Sequence, residues 1–287
     1  MTSTVPSGPA HSDALVVPTA VAPVRRDPAH GSELVSQWVL GEIVRVDDIE
    51  GGWVRARGAD GYAGWTPRAP FRRTVFATED WDAAATLLSM GTYVDEKADP
   101  AGDGHCLERL PWGARLRRAD SGGTGVTLPD GRTVTPLSLE RVVAQPGSAN
   151  PPPIPHGLGE TVARLAGHWP GVPYLWGGRT DLGVDCSGFV QAVFASVGIR
   201  LPRDSHQQAE AHPDLRGSGV ATEPGDLLFF APDEATITHV ALALGGSRII
   251  HAASSNGSVR EDDLDTDTSL SALLTRSIVR HTRPWAG

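Results

Sequence analysis

The chain has 287 residues, about two domains' worth at ~150 residues each, and its 40% hydrophobic and 21% charged residues are the balance of a soluble globular protein. Its formal charge is −9, from 25 Lys and Arg against 34 Asp and Glu, which argues against nucleic acid or an anionic membrane as main partner, because those select a basic face. Two cysteines, Cys106 and Cys186, exclude a disulfide framework but leave a single bridge open, a reduced thiol being the simpler expectation.

Residues 1–14 are unpatterned and rich in Ser, Pro, Gly and His, which predicts a mobile tail. No Lys or Arg precedes Arg25, no apolar signal-peptide core follows, and no stretch reaches the ~18 apolar residues that span a bilayer. From Leu15 the texture is that of strands. Leu15–Val17, Ala20–Ala22, Ile43–Val46 and Trp53–Ala56 are short β-type runs punctuated by Gly41, Gly51-Gly52 and Ala59-Asp60-Gly61, the spacing of a small all-β barrel over 15–72. A weaker copy follows over 73–144. Leu110-Pro-Trp-Gly-Ala-Arg-Leu parallels Trp38-Val-Leu-Gly-Glu-Ile-Val, and Val126-Thr-Leu-Pro-Asp-Gly-Arg parallels the strand and turn before Tyr62. Between the copies, the alanines and leucines of Asp80 to Met90 predict a short helix.

Prolines 146, 151, 152, 153 and 155 make 145–156 a linker, since such density admits neither helix nor central strand. The third unit, 157–287, has longer and mixed periodicities. Leu158, Val162, Leu165 and Trp169 share one face of a helix that should stop at Pro170-Gly171, and Phe189, Val190, Val193, Phe194 and Val197 mark a second, ended by Gly198. Strands are expected at Asp226–Phe230, Thr238–Leu244 and Arg248–Ala253, with Asn256-Gly257 as a hairpin turn and the charged run Glu261 to Asp267 as a solvated loop. Helices followed by antiparallel strands define an α+β domain.

Cys186 stands where a Gly-rich loop gives way to the second helix, so unpaired N–H groups and the positive helix end would favour its thiolate, the nucleophilic form. On the strand that follows, Val240, Leu242 and Leu244 share one face and His239, Ala241 and Ala243 the other. Small residues beside a histidine leave room for something bulky, and the helix carrying Cys186 is expected there, with His239 taking and returning the thiol proton. His251, 12 residues on, would orient His239 through its other ring nitrogen. A zinc site from Cys186, His239 and His251 is disfavoured because no short ligand pair joins them, so no metal or cofactor is expected.

Two resemblances sharpen this. Glu33-Leu-Val-Ser-Gln, Gly41-Glu42, Gly51-Gly-Trp-Val-Arg and Asp60-Gly-Tyr-Ala-Gly-Trp resemble a bacterial SH3-like domain, in that family's order. Tyr174-Leu-Trp-Gly-Gly, Asp185-Cys-Ser-Gly-Phe, Leu201-Pro-Arg-Asp-Ser-His-Gln-Gln, Glu223-Pro-Gly-Asp-Leu-Leu-Phe-Phe, Thr238-His-Val and Ile250-His resemble the NlpC-type papain-like cysteine peptidases that cut bacterial cell-wall peptides. The implied fold is a papain-like α+β domain behind two SH3-like barrels. By the resemblance Cys186 is the nucleophile, His239 the base and acid, His251 the orienter, and Tyr174 joins a backbone amide in holding the oxyanion. The barrels resemble the subgroup of γ-D-glutamyl-L-diamino-acid endopeptidases of murein peptide recycling, in which the first barrel closes the groove and imposes a free N-terminal L-Ala.

That subgroup implies a murein-derived substrate, L-Ala-γ-D-Glu-diamino acid, and an amine pocket. Asp204 and Tyr62 are its main candidates, with Glu33 or Glu42 as the acid from the barrel and Trp176, Asp185, Ser187 and Ser205 toward the D-Glu moiety. The lack of a visible signal peptide is read as cytoplasmic residence, with a secreted wall enzyme as the alternative. A non-catalytic wall-binding protein, or an amidase or acyltransferase on the same scaffold, are the other readings.

Overall fold

A computed structural model describes residues 14–85, 87–96, 106–119, 123–144, 157–233 and 236–285. Residues 1–13 of the expected tail and the expected linker, 145–156, lie outside the described residues. The fold class is the expected one: all-β sheets come first and a mixed papain-like domain follows.

The first sheet contains β1 (Ala14–Val16), β2 (Val21–Arg25), β3 (Leu34–Val39), β4 (Ile43–Glu50), β5 (Trp53–Arg57) and β6 (Ala63–Pro67) in the antiparallel order β1-β4-β5-β6-β2-β3. Alternation builds it: in β5 Val54 and Ala56 point inward while Arg55 and Arg57 face water. Val24, Trp38, Val44, Val54 and Ala56 fill its core.

After a 3₁₀ turn (Ala69–Arg73) comes α1 (Thr78–Ala84), then β7 (Leu87–Glu96), β8 (Cys106–Arg118), β9 (Val126–Thr127), β10 (Thr133–Pro136) and β11 (Val142–Ala144). Their order is β10-β9-β8-β7-β11, and β10 also pairs with β7, so the second sheet closes on itself. The helix expected from Asp80 to Met90 ends at Ala84, and its second half is strand. Leu87 and Leu88 pair with Leu116 and Arg115 of β8, and Leu87, Leu88 and Met90 are buried; these cross-strand contacts outweigh a weak helix preference.

The third unit holds α2 (Leu158–Ala166), the two-residue strands β12 (Arg179–Thr180) and β13 (Gly183–Val184), α3 (Cys186–Ala195) and α4 (Ser205–Glu210). Next come β14 (Leu227–Phe230), β15 (His239–Gly245), β16 (Arg248–Ala253), β17 (Ser258–Asp263), α5 (Ser269–Arg276) and β18 (Ile278–Thr282). Its antiparallel sheet runs β17-β16-β15-β14-β18. Cys186 through Phe194 of α3 are all buried, which makes α3 a core helix rather than a one-sided one. Trp169 lies just past the end of α2. Its ring packs between Phe189 of α3 and Trp112 of β8, at centroid distances of 5.4 and 5.1 Å, and so joins the second sheet to the third unit.

The two faces of β15 are occupied in the opposite sense to expectation. Val240 and Leu242 pack with Phe189, Val190 and Val193 of α3, whereas Ala241 packs with Leu228, Phe230, Ile249 and Leu274 of α5. The small residues accommodate α5; α3 meets β15 through the branched face and through its own N-terminus.

Candidate active site

The N-terminus of α3 is held by the Asp185 carboxylate. Its Oδ1 accepts from the Gly188 N–H at 2.7 Å, closing the first turn, and its Oδ2 accepts from the Gly177 N–H at 2.8 Å, fixing the preceding loop. Arg203 completes the arrangement from the far side, donating Nη2 to Oδ2 at 2.5 Å and Nη1 to Oδ1 at 3.0 Å, a two-pronged pair at 2% exposure of the arginine. The same guanidinium donates to Ser187 Oγ at 2.8 Å and to Ser36 Oγ of β3 at 3.1 Å, so one buried charge ties the first sheet to the start of α3. Gly188 must be glycine, because a Cβ there would lie 2.0 Å from the Gly178 carbonyl oxygen. Gly177, at φ +77°, brings its loop so close to β3 that a Cβ would meet the Leu34 carbonyl oxygen at 2.5 Å.

Cys186 opens α3 as a free, buried thiol, so the bridge that the cysteine count left open is not formed. Backbone N–H groups of Val240 and Ser187 lie near enough to its sulfur to work against the rise in its pKa. Val240 follows His239 at the beginning of β15, so the start of that strand lies beside the thiol. His239 Nε2 lies 2.7 Å from His251 Nδ1, with the rings edge to face at 4.9 Å. His251 Nε2 in turn lies 2.8 Å from Asp262 Oδ2, and Asp262 receives both Nε (2.8 Å) and Nη2 (2.6 Å) of Arg260. The expected solvated loop of Glu261 to Asp267 is therefore corrected at its start: residues 261–263 belong to β17, where pairing of His251 with Arg260 sets Asp262 near the imidazole.

Burial pushes the Cys186 thiol up to about 12, with the Asp185 charge adding to the rise, and burial together with the neighbouring His251 pushes His239 down to about 3. This corrects the expectation of a thiolate favoured by the helix end. A helix terminus contributes about 0.3–1 kcal/mol, whereas full burial shifts a pKa by up to ~3–5 units, several kcal/mol, so desolvation wins. The resting pair is a thiol beside a neutral imidazole. Alkylation of Cys186 by iodoacetamide, followed by peptide mass spectrometry, should therefore rise about tenfold per pH unit from pH 7 past pH 9, with no plateau near the ~8.5 of a free thiol. A plateau at or below pH ~8 would contradict the neutral resting pair.

Tyr174 sits close enough to feel the Cys186 charge. Burial first, then Cys186 and Asp185, raise its pKa to about 12, which keeps the phenol a donor. Its backbone is pinned on both sides, by Tyr174 N–H to the Gly257 carbonyl at 2.8 Å and by Leu175 N–H to the Val184 carbonyl at 3.0 Å.

The first sheet meets the loops around this centre, through Glu33 with Trp176 and Ser36 with Arg203. Tyr62, on the loop before β6, has its pKa raised by burial and then by Asp204 and Glu33, which places both acids in its field. Asp204 precedes α4, and burial raises its pKa against the lowering effect of Arg203. Glu33 accepts from the Trp176 indole N–H at 2.9 Å and pairs with Arg26 at 2.6 Å, whereas Glu42 pairs with Arg179 and accepts from the Val39 N–H. Of the two acids, Glu33 is the one that stands with Trp176 and Tyr62. Trp176 is 60% exposed at this rim, and Ser205 is half-buried at the first position of α4.

Asp185 and Ser187, expected toward the D-Glu moiety, lie inside the protein at the start of α3. Both are buried, and their polar atoms are taken up by Arg203, by each other and by the loop amides. Four contributors escaped the sequence reading. Arg203 lay inside a quoted motif but was read only for its neighbour Asp204, and Asp262 lay in a charge run. Asp60 accepts from the Tyr62 N–H at 3.0 Å and from Gln191 Nε2 of α3 at 2.9 Å, fastening the tyrosine loop to the core helix; Asp60 is marked only as a turn residue, and no local pattern marks Gln191.

Residues 171–277 match the NlpC/P60 family and residues 24–69 the bacterial dipeptidyl-peptidase SH3 domain. The chain is 28% identical over 257 residues to the gamma-D-glutamyl-L-lysine dipeptidyl-peptidase of Bacillus cereus, covering 83% of this chain and 72% of that one. It is 26% identical over 254 residues to dipeptidyl-peptidase 6 of Lysinibacillus sphaericus, covering 87% and 91%. A crystal structure of an NlpC/P60 family protein from Bacillus cereus shares the fold, with a TM-score of 0.78 at 21% identity over 94% of this chain and 99% of that one. With its buried cysteine and paired histidines, the chain carries an NlpC/P60 cysteine-peptidase domain behind a bacterial dipeptidyl-peptidase SH3 domain.

Proposed function

We propose that the protein hydrolyses the amide between γ-D-Glu and the diamino acid in L-Ala-γ-D-Glu-diamino-acid peptides whose L-Ala amine is free. The observation that carries the reading is the meeting of two sets of residues: Cys186 and His239 inside, and Tyr62, Glu33 and Asp204 from two domains at the mouth. The name of the Bacillus cereus relative, a gamma-D-glutamyl-L-lysine dipeptidyl-peptidase, supports the same bond.

His239 takes the Cys186 proton as sulfur attacks the amide carbon, and the resulting oxyanion receives the Tyr174 phenol and a backbone N–H. The imidazolium then protonates the leaving amine, a thioester remains, and water activated by His239 releases the dipeptide. At the other end, the substrate ammonium replaces solvent with the carboxylates of Glu33 and Asp204 and the Tyr62 hydroxyl. Leaving such a charge unpaired in a closed pocket costs several kcal/mol, so an acylated amine has no place there. The fitting substrates are peptides already released from their glycan, which agrees with a recycling role.

The test compares L-Ala-γ-D-Glu-lysine and its diaminopimelate analogue with their N-acetylated forms, products being followed by mass spectrometry. Free peptides should yield L-Ala-D-Glu, and acetylation should lower kcat/KM by about 10²-fold or more. Equal rates on free and acetylated peptides would reject the amine pocket, and intact peptides would reject the reaction.

A further inference from the structure

His251 is 2% exposed, and both of its ring nitrogens are engaged, Nδ1 with His239 and Nε2 with Asp262. We propose that Asp262 is a positioning residue: it fixes the proton of His251 on Nε2, and through His251 it sets the tautomer of His239 so that a lone pair on Nδ1 is free for the Cys186 thiol. The catalytic half of this inference rests on the peptidase reading above; the tautomer half does not.

A carboxylate only accepts hydrogen bonds, so the 2.8 Å contact puts the proton on His251 Nε2. A neutral His251 then has its lone pair on Nδ1, which can only accept, so the proton in the 2.7 Å contact belongs to His239 Nε2. With Nε2 committed to donating, Nδ1 is the nitrogen of His239 left to take the thiol proton. The imidazolium that forms keeps its Nε2–H directed at His251.

The opposite chain of protons would aim a lone pair of His251 at the Asp262 carboxylate, unless that group were protonated. Arg260 prevents this with its two-pronged pair on Asp262. Burial works to raise the Asp262 pKa, but the hydrogen bonds from Arg260 and His251 outweigh it and hold the group below the usual carboxylate range. His251 itself is held below the usual imidazole range by burial and by Arg260, against the pull of Asp262. The charged and titratable groups acting on the two rings are thus His239, His251, Asp262 and Arg260, beside the Cys186 thiol.

Asp262→Asn removes the constraint while keeping the size. An amide can present its NH₂ to His251 Nε2, which permits the reversed chain and puts a proton on His239 Nδ1, where it blocks thiol deprotonation. The corresponding carboxylate-to-amide change in a serine-protease triad lowers kcat about 10⁴-fold by this means, and with one more imidazole interposed a loss of about 10²–10³ in kcat is expected here, with KM little changed.

Nitrogen-15 NMR of histidine-labelled full-length protein tests the tautomers directly, the His239 signals being assigned by their loss in His239→Gln. In the unmodified protein His239 should show a protonated Nε2 and an unprotonated Nδ1. A protonated Nδ1 there overturns the proposal, whether or not the variant folds. In Asp262→Asn the Nδ1 signal should move toward the protonated form while kcat falls; an unchanged signal, or kcat within about threefold of the unmodified enzyme, also overturns it. If the tautomer is as stated but no murein tripeptide is cut, the proposed reaction fails alone and the proton arrangement stands.

Discussion

Cys186→Ala is expected to abolish turnover of L-Ala-γ-D-Glu-diamino-acid peptides, with a loss of about 10⁶-fold in kcat, the scale seen when a covalent nucleophile is removed from a peptidase triad. The physical reason is that no second nucleophile stands at the start of α3. Ser187, the adjacent hydroxyl, is engaged by Asp185 and Arg203. Because the thiol and His239 act as one unit, His239→Ala should cost a similar factor, and the double variant little more than either alone. Steady-state assays on the free tripeptide, with circular dichroism to show that the fold is kept, check this. Residual cleavage above about a thousandth of the original rate in Cys186→Ala would rule out a thioester route through this residue.

Arg203→Met should be the most destabilising single change at the site, costing about 3–5 kcal/mol, because removing one member of a buried ion pair leaves the other desolvated and alone. Asp185 would lose both prongs of its arginine at the N-terminus of α3, Ser187 would lose its 2.8 Å donor, and β3 would lose its link through Ser36. Arg203→Lys should recover little, since an ammonium is a point charge that cannot span both carboxylate oxygens and the two serines. Urea unfolding followed by circular dichroism measures the loss. A change below about 1 kcal/mol in Arg203→Met would show that Asp185 holds its place without the guanidinium.

Parts of this molecule are legible locally. Cys186 announces itself through a Gly-rich loop and an apolar helix, all within a dozen residues, and Trp53 to Ala56 reveal β5 as a short β-type run between turn glycines. Reading fails where the deciding partner is far along the chain. Leu87 to Met90 look helical after the alanines of α1, yet Leu116 and Arg115, about thirty positions on, make them strand. Ala241 and Ala243 leave space beside His239, but nothing nearby says whether α3 or α5 fills it; Leu274 decides. Asp262 looks like one more solvated acid until the pairing of β16 with β17 sets it by His251.

By itself the sequence determined the order of small sheets and papain-like domain, and it put forward Cys186, His239 and His251 as the residues of a cysteine peptidase. Those features rest on short-range rules: side-chain period, turn glycines and motif order. Only the tertiary structure decided that burial pushes the thiol pKa up, that Glu33 rather than Glu42 stands with Tyr62 and Trp176, and that Asp185 pairs with Arg203. It also decided that a carboxylate stands behind the second histidine. Charge and hydrogen-bond energies depend on desolvation and on distances of a few ångströms, and these exist only once residues more than a hundred positions apart, such as Ser36 and Arg203, have been brought into contact.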